Sequence, residues 1–435
     1  MKEAPLSLGN RGSAEETRSP LTAGVRELQE LLSPISCEEF VNSYFSRSSL
    51  MVEGVPDKFE HIFSWEKLNK ALERGQKIQD KRYNIMASFA RGEESGSSKR
   101  MVEASHNQVD SLFKSGATIC ITNIHMADPA LARWAQTIRT QLNFAGTVGA
   151  NCYLSPDGAG LSTHYDKRVV TTLQIAGKKR WRYSTEAAKP WPDHNAVCLE
   201  GHVEPVGIDP GRLPSDMEFR EVEMKPGDLL CLPAGGWHSA QAAGESLAIN
   251  LYFQPRNFLE QLIPVLQSFA ASNGDWRAGT PASLDKVQGE MPKVVSEYVR
   301  ERLDEFHKLA RELLDNPHMS IEPWLSASTH FPYTGWQPTP RASLQGLTEG
   351  QRFRVAKSSL RFVQSQDKLI LPCDNNVLRF PAAAAPMLHR LSSETGTFTV
   401  HDVLAWGVKP EGPDPKKVMS YLQILIENRI VEVVT

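Results

Sequence analysis

The 435-residue chain has no CxxC pair. Its six cysteines (Cys37, Cys120, Cys152, Cys198, Cys231 and Cys373) are widely spaced, several inside apolar runs such as ICIT and LLCLP. That pattern excludes a dithiol redox motif, a zinc ribbon and a disulfide framework, and reads as reduced structural thiols in an intracellular protein. Nowhere do apolar residues run on for the ~18 positions that a membrane span needs. The opening MKEAPLSLGNRGSAEETRSPLTAG holds no apolar signal-peptide core. A cytoplasmic protein without membrane contact is expected. An excess of either charge is lacking too: 48 Lys+Arg against 51 Asp+Glu leave a net charge of −3, with no global attraction to nucleic acid or an anionic surface.

What is present is an ordinary globular composition, 40% hydrophobic and 23% charged, in a chain too long for one core. Residues 1–22, rich in Ser, Gly, Glu and Pro, are expected to be disordered. Residues 23–255 open with helical segments. VRELQELLSPI carries Leu28, Leu31 and Leu32 at helical spacing, CEEFVNSYF follows Ser36 as N-cap, and SWEKLNKALERG runs from Ser64 to Gly75. RGEESGSSKR (91–100) is a loop by composition. GATICITNIH predicts a buried strand, and DPALARWAQTIRTQL a helix with Asp128 at its cap and Pro129 at its first position. Short strands then follow one another: VGANCYLS, LSTHYDK, VVTTLQIA, KRWRYST, EFREVEMK, DLLCLPA and SLAINLYFQ. Turns rich in Gly, Pro and Asp separate them, as in a sandwich, jelly roll or barrel. The Pro-, Asp- and Gly-dense stretch 184–217 is expected to form a rim over a site.

Residues 256–330 switch to amphipathic helices over 257–272 and 294–315. The second carries a stripe of Val295, Tyr298, Val299, Leu303, Phe306, Leu309, Leu313 and Leu314, which suits packing on the β-domain and helix-to-helix dimerisation equally. A Pro-rich section (316–342) leads into 331–435, where three helical segments and a final strand give the outline of a winged-helix module. Its 12 Lys+Arg against 9 Asp+Glu lack the dense basic stripe of a DNA reader, so nucleic acid is not the expected partner.

The candidate chemistry sits in NCYLSPDGAGLSTHYDKRVVTTLQIAGKKRWRY (151–183). His164 and Asp166, two apart, point to the same side of an extended strand. With His238 in LPAGGWHSA as a third ligand, they have the composition of the two-histidine, one-carboxylate triad of non-haem Fe(II) oxygenases. Such a site leaves positions for a bidentate 2-oxo acid and O₂. In KKRWRY, read as the strand of a hairpin after the HxD strand, Lys179, Trp181 and Tyr183 alternate onto one face. A lysine on an apolar face needs an anion, unless it belongs to the turn and reaches solvent. His194 and His202 lie in the long loop without ligand spacing to His164, and His106, His125, His318 and His330 are isolated.

Together these segments resemble the JmjC-type ribosomal oxygenases, cupin-like Fe(II)- and 2-oxoglutarate-dependent protein hydroxylases. The shared pattern is an Asn-x-Tyr strand, a Gly-containing loop, HxD, and LQ-x-x-G-(K/R)-(K/R)-x-W, with PGDLLCLPAGGWHSA as the distal-histidine segment. LLSPISCEEFVNSYFSRSSLMVEG and GATICITNIHMADPALARWAQ resemble the family's opening and lead-in, so the likeness runs from about residue 25 onward. It implies an α+β chain with a mainly β catalytic core. The core would be a double-stranded β-helix (cupin/JmjC jelly roll), followed by a helical dimerisation region and a C-terminal winged-helix-like domain in a homodimer. It implies His164, Asp166 and His238 as iron ligands and Lys179, fifteen residues after His164, as the anchor of the 2-oxoglutarate carboxylate. Asn151, Tyr153 and Ser246 would line the same pocket. The implied reaction is hydroxylation of a side chain in a protein, a ribosomal protein by resemblance, with succinate and CO₂ as co-products. The same chemistry would serve a peptide- or metabolite-tailoring hydroxylase or an N-methyl-lysine demethylase; a non-catalytic cupin binding through its C-terminal domain is the alternative of another class. One departure stands out. The family's HYDxHDVF is here HYDKRVVTT, with Lys167 and Arg168 beside the ligand and Thr171 in place of an aromatic residue. The substrate-facing wall should therefore differ: a basic rim suits an acidic target, unless both cations are merely solvated.

Overall fold

The computed structural model describes residues 25–434 except 90–100, 200, 285–288, 317–349, 357–359, 361, 366, 374–375 and 409–412. The expected tail 1–22, the loop 91–100, His318, His330 and nearly all of the Pro-rich section lie outside the described residues.

Helix α1 (Arg26–Leu32) buries Leu28, Leu31 and Leu32, each stabilising the fold by about 2 kcal/mol on burial. It is tied to a later helix, because the Leu28 N–H donates to Gln141 Oε1 at 2.8 Å. Helix α2 (Trp65–Gly75) starts at Ser64, whose side chain accepts from Lys67 N–H. Helix α3 (Pro129–Gln141) starts at Asp128, whose carboxylate accepts from the Ala130 and Leu131 N–H groups. Both caps are those the sequence predicts, since each side chain satisfies an N–H that a first helical turn leaves unpaired.

Twelve strands form the catalytic sheet: β1 (Leu50–Val52), β2 (Asn84–Ser88), β3 (Val102–Ala104), β4 (Thr118–Thr122), β5 (Gly146–Ser155), β6 (Gly160–Tyr165), β7 (Val169–Ser184), β8 (Ala196–Leu199), β9 (His202–Glu204), β10 (Phe219–Met224), β11 (Leu229–Leu232) and β12 (His238–Pro255). Along the main path the order is β1-β11-β7-β12-β5-β4-β2-β3. Strand β10 also pairs with β7, and β6 pairs with both β12 and β8. All pairings are antiparallel, in the jelly-roll architecture that the resemblance implies.

Alternation separates two cores. Ala150, Cys152 and Leu154 on β5, Leu173 on β7, and Ile249 and Leu251 on β12 pack with the helical leader. Their alternates face the barrel interior, where Val170, Trp181, Tyr183, Leu230, Leu232, Ala240 and Tyr252 form a second, smaller core.

Two strand expectations need correction. VVTTLQIA and KRWRYST are not the arms of a hairpin but one strand, β7, paired along both halves with β12. Gly177 (φ +65°) makes a bulge there rather than a turn, because β12 supplies partners on both sides of it. Likewise SLAINLYFQ is only the second half of β12, which begins at His238 itself.

Beyond the sheet, helices α4 (Phe258–Ser272) and α5 (Lys293–Asp315) follow as predicted. Of the α5 stripe only Leu309 is buried, while Leu303 and Leu314 are exposed. The C-terminal unit has its own core. It holds strand β13 (Arg352–Val355), a sheet of β14 (Val363–Ser365), β15 (Lys368–Cys373) and β16 (Asn376–Pro381) that the sequence did not suggest, and helix α6 (Ala385–Ser393). Strand β17 (Thr397–Thr399), helices α7 (Val400–Gly407) and α8 (Pro415–Glu427) and strand β18 (Val431–Val434) complete it.

Candidate active site

His164 and His238 face each other as a directly paired couple across β6 and β12, their ring centroids 4.2 Å apart. Asp166 follows at the end of β6. One ligand atom from each of His164, Asp166 and His238 lies within 4.8 Å of the other two. Each imidazole is oriented from behind: His164 Nδ1 lies 2.7 Å from the Ser162 carbonyl and His238 Nδ1 2.8 Å from the Gly236 carbonyl. An Nδ1–H donated to those carbonyls leaves both Nε2 lone pairs for a metal, the arrangement that fixes tautomer and ring plane in metal sites. Burial, reinforced by the neighbouring His164, pushes the His238 imidazole down to about 3, so at neutral pH it is uncharged, as a ligand must be.

The approach to His238 is rigid. Trp237 is fully buried, packs against Tyr165 with tilted rings 4.5 Å apart and donates from Nε1 to the Arg212 carbonyl at 2.9 Å. The Gly235 N–H donates to the Asp166 carbonyl at 2.8 Å, so the loop bearing one ligand is bonded to the backbone of another. The stretch 184–217 takes part in this support through Arg212.

Lys179 is 4% exposed and lies on the interior face of β7 with Trp181 and Tyr183, as the alternation predicts. Lys178 and Arg180 point outward and pair with Glu223. No described residue offers Lys179 a carboxylate. Its ammonium lies 5.9 Å from the centroid of the Tyr153 ring, and burial lowers it to about 8. An interior cation without a counter-ion is unfavourable unless an anion joins it. Further polar atoms on this interior face lack partners: Thr172 Oγ1, Trp181 Nε1 and Asn250 Oδ1. A dicarboxylate with its head at the triad and its tail at Lys179 meets this donor set, so the residues fit both an iron(II) ion and a 2-oxo acid.

The remaining predicted residues divide. Asn151 and Tyr153 share the interior face; Asn151 Oδ1 accepts from Asn123 N–H at 3.0 Å, and burial raises the Tyr153 phenol. Ser246 shares that face, but its Oγ accepts from Gln174 Nε2 at 2.9 Å, and Gln174 also donates to the Ala176 carbonyl beside the bulge. Of the pair after HYD, Lys167 is exposed, whereas Arg168 is half buried with its guanidinium 4.1 Å from the Tyr252 ring centroid. Thr171 pairs with Cys231 on the face toward the helical leader, so it does not line the wall; Thr172 does. His194 and His202 are exposed, His106 stacks on Tyr83, and His125 Nδ1 accepts from the Ala150 N–H. Sequence reading missed Tyr252 and Asn123, whose side chains are hydrogen-bonded at the interior edge. The only available signal was the alternation in SLAINLYFQ, which puts Tyr252 on the face of Asn250.

Residues 126–261 match the JmjC domain family. The chain is 25% identical over 266 residues to the uncharacterized protein YxbC of Bacillus subtilis, covering 58% of this chain and 77% of that one. It is 28% identical over 273 residues to Ribosomal oxygenase 1 of Gallus gallus, covering 58% of this chain and 41% of that protein. Among solved structures it resembles the Escherichia coli ribosomal oxygenase YcfD in complex with cobalt and 2-oxoglutarate, with a TM-score of 0.55, 15% identity, and 92% and 99% of the two chains covered.

Proposed function

We propose that this JmjC-type 2-oxoglutarate-dependent oxygenase hydroxylates an amino-acid side chain of a protein, with iron(II) on His164, Asp166 and His238 and 2-oxoglutarate on Lys179. One observation carries the assignment: a convergent two-histidine, one-carboxylate set and a buried, unpaired ammonium share the interior of one barrel. Bound there, iron(II), 2-oxoglutarate and O₂ supply the oxidising chemistry, with succinate and CO₂ as the co-products.

The chain's own residues do the rest. The Ser162 and Gly236 carbonyls hold both imidazoles in the ligating tautomer. Lys179 neutralises the distal carboxylate of the co-substrate, and Asn151 and Tyr153 line its path, with Ser246 as part of the wall behind them. The low-dielectric interior strengthens the ammonium–carboxylate contact and keeps water from the reacting centre. The half-buried Asp166 and His164 mark the open side, where a polypeptide would enter.

A ribosomal protein is the target we favour, supported by the names of the chicken and E. coli relatives. We also assign residues 256–330 as a dimerisation region, supported by exposed apolar side chains on α4 and α5, and 331–435 as a winged-helix-like protein-contact module. We place the enzyme in the cytoplasm, in keeping with its five free cysteines among the described residues. Mass spectrometry of ribosomal proteins from cells with and without the gene tests the target. A +16 Da species that disappears on deletion is expected, and ribosomal proteins identical in both strains would overturn the ribosomal assignment.

A further inference from the structure

Arg168 is a half-buried cation close in sequence to two of the candidate iron ligands. It lies two residues after Asp166, where the chain leaves β6, and its loop is held by the Lys167 N–H, which donates to Asn195 Oδ1 at 2.9 Å. The guanidinium packs 4.1 Å from the centroid of Tyr252. That ring is 6% exposed and anchored through its hydroxyl, which donates to Asn123 Oδ1. Arg168 is in phase with the interior residues Val170 and Thr172 of β7, and the Tyr252 ring beneath it belongs to the interior core that also holds Trp181 and Tyr183. Among the described residues no carboxylate pairs with it. The nearby Arg82, by contrast, is paired with Asp80, and Lys167 extends into solvent.

The charges of the filled site leave Arg168 over. Two positive charges on iron(II) and the Lys179 ammonium balance Asp166 and both carboxylates of 2-oxoglutarate. A guanidinium fixed on an aromatic face keeps its N–H edge free, and that planar fork matches a carboxylate. We infer, resting on the oxygenase reading above, that Arg168 on Tyr252 selects an acidic side chain, Asp or Glu, at the target position of the polypeptide substrate. A lone guanidinium suits one negative charge. It also repels a lysine or arginine side chain at the same position.

The test is a binding measurement on the full chain loaded with Mn(II) and N-oxalylglycine, a non-reacting analogue of 2-oxoglutarate. Fluorescence anisotropy is read with four peptide pools, random at the flanks and fixed at the centre as Asp/Glu, Lys/Arg, His or phosphoserine. The Asp/Glu pool should bind at least tenfold more tightly than the Lys/Arg pool, a contrast on the scale of one charge-assisted contact. Arg168→Gln should remove the contrast, Arg168→Glu should invert it, and Arg168→Lys should restore part of it, with melting temperatures confirming that each variant is folded. Equal binding of the pools, no binding of any, tighter binding of phosphoserine, or a preference that survives Arg168→Gln would each overturn the inference. Succinate formation from 2-oxoglutarate, measured separately in wild type and His164→Ala, reports on the oxygenase reading itself. Turnover without an acidic preference therefore sinks only the role of Arg168.

Discussion

An ammonium enclosed on an apolar strand face raises the energy of the fold unless something negative joins it, and Lys179 is such a group. Its ionisation is lowered to about 8 by burial, so the free protein loses the charge as pH rises through that value. A bound carboxylate favours the charged form, hence 2-oxoglutarate affinity should fall by roughly tenfold per pH unit above pH 8 and stay level below it. Lys179→Arg should flatten this dependence, since a guanidinium stays protonated. Lys179→Ala should weaken 2-oxoglutarate by about 2 kcal/mol, or some thirtyfold, while leaving metal affinity within a few fold. Calorimetric titration of Mn(II) and of 2-oxoglutarate from pH 6.5 to 9.5 checks both. For the triad, Asp166→Ala removes the carboxylate and leaves two neutral imidazoles, so Mn(II) affinity should drop by at least a hundredfold in the same titration.

At the scale of elements, the site depends on one bulge. Gly177 has φ +65°, and a Cβ there would sit 1.8 Å from the Glu245 carbonyl oxygen. Gly177→Ala must therefore shift β7 against β12 just before Lys179, and should cost about 2–4 kcal/mol. Because His164 and His238 are paired across β6 and β12 beyond the bulge, metal binding should be kept and 2-oxoglutarate binding lost. A lowered melting temperature with that split in affinities is the expected outcome. Much of this element was legible in KKRWRY: alternation alone put Lys179 inside with Trp181 and Tyr183. What was not legible was that AGKK is a bulge, since a glycine at positive φ serves a turn equally well, and only the long partner β12 decides between them. The direct opposition of His238 and His164 was hidden for the same reason, because pairing is a non-local property. The caps at Ser64 and Asp128 were readable because both partners lie within three residues. The sheet β14–β16 gave no clear alternation and was missed.

On the scale of the whole molecule, α4 and α5 present Phe258 (77% exposed), Leu259 (63%) and Leu303 (61%) to solvent. Single exposed apolar residues are common, but several on α4 and α5 suit the dimerisation proposed for this region. Phe258→Glu with Leu303→Glu should convert a dimer to a monomer in light scattering after size exclusion, with the melting temperature of the catalytic unit little changed. A wild-type chain that elutes as a monomer at micromolar concentration contradicts the dimer. In the function proposed above, one barrel interior holds both iron(II) and 2-oxoglutarate for oxidation. The decisive measurement is succinate formed from 2-oxoglutarate under O₂ by the purified protein. Turnover should require added iron(II), be abolished in His164→Ala, and be recovered in Lys179→Ala only at far higher 2-oxoglutarate. Succinate formation that is indifferent to iron, or unchanged in His164→Ala, would contradict that function.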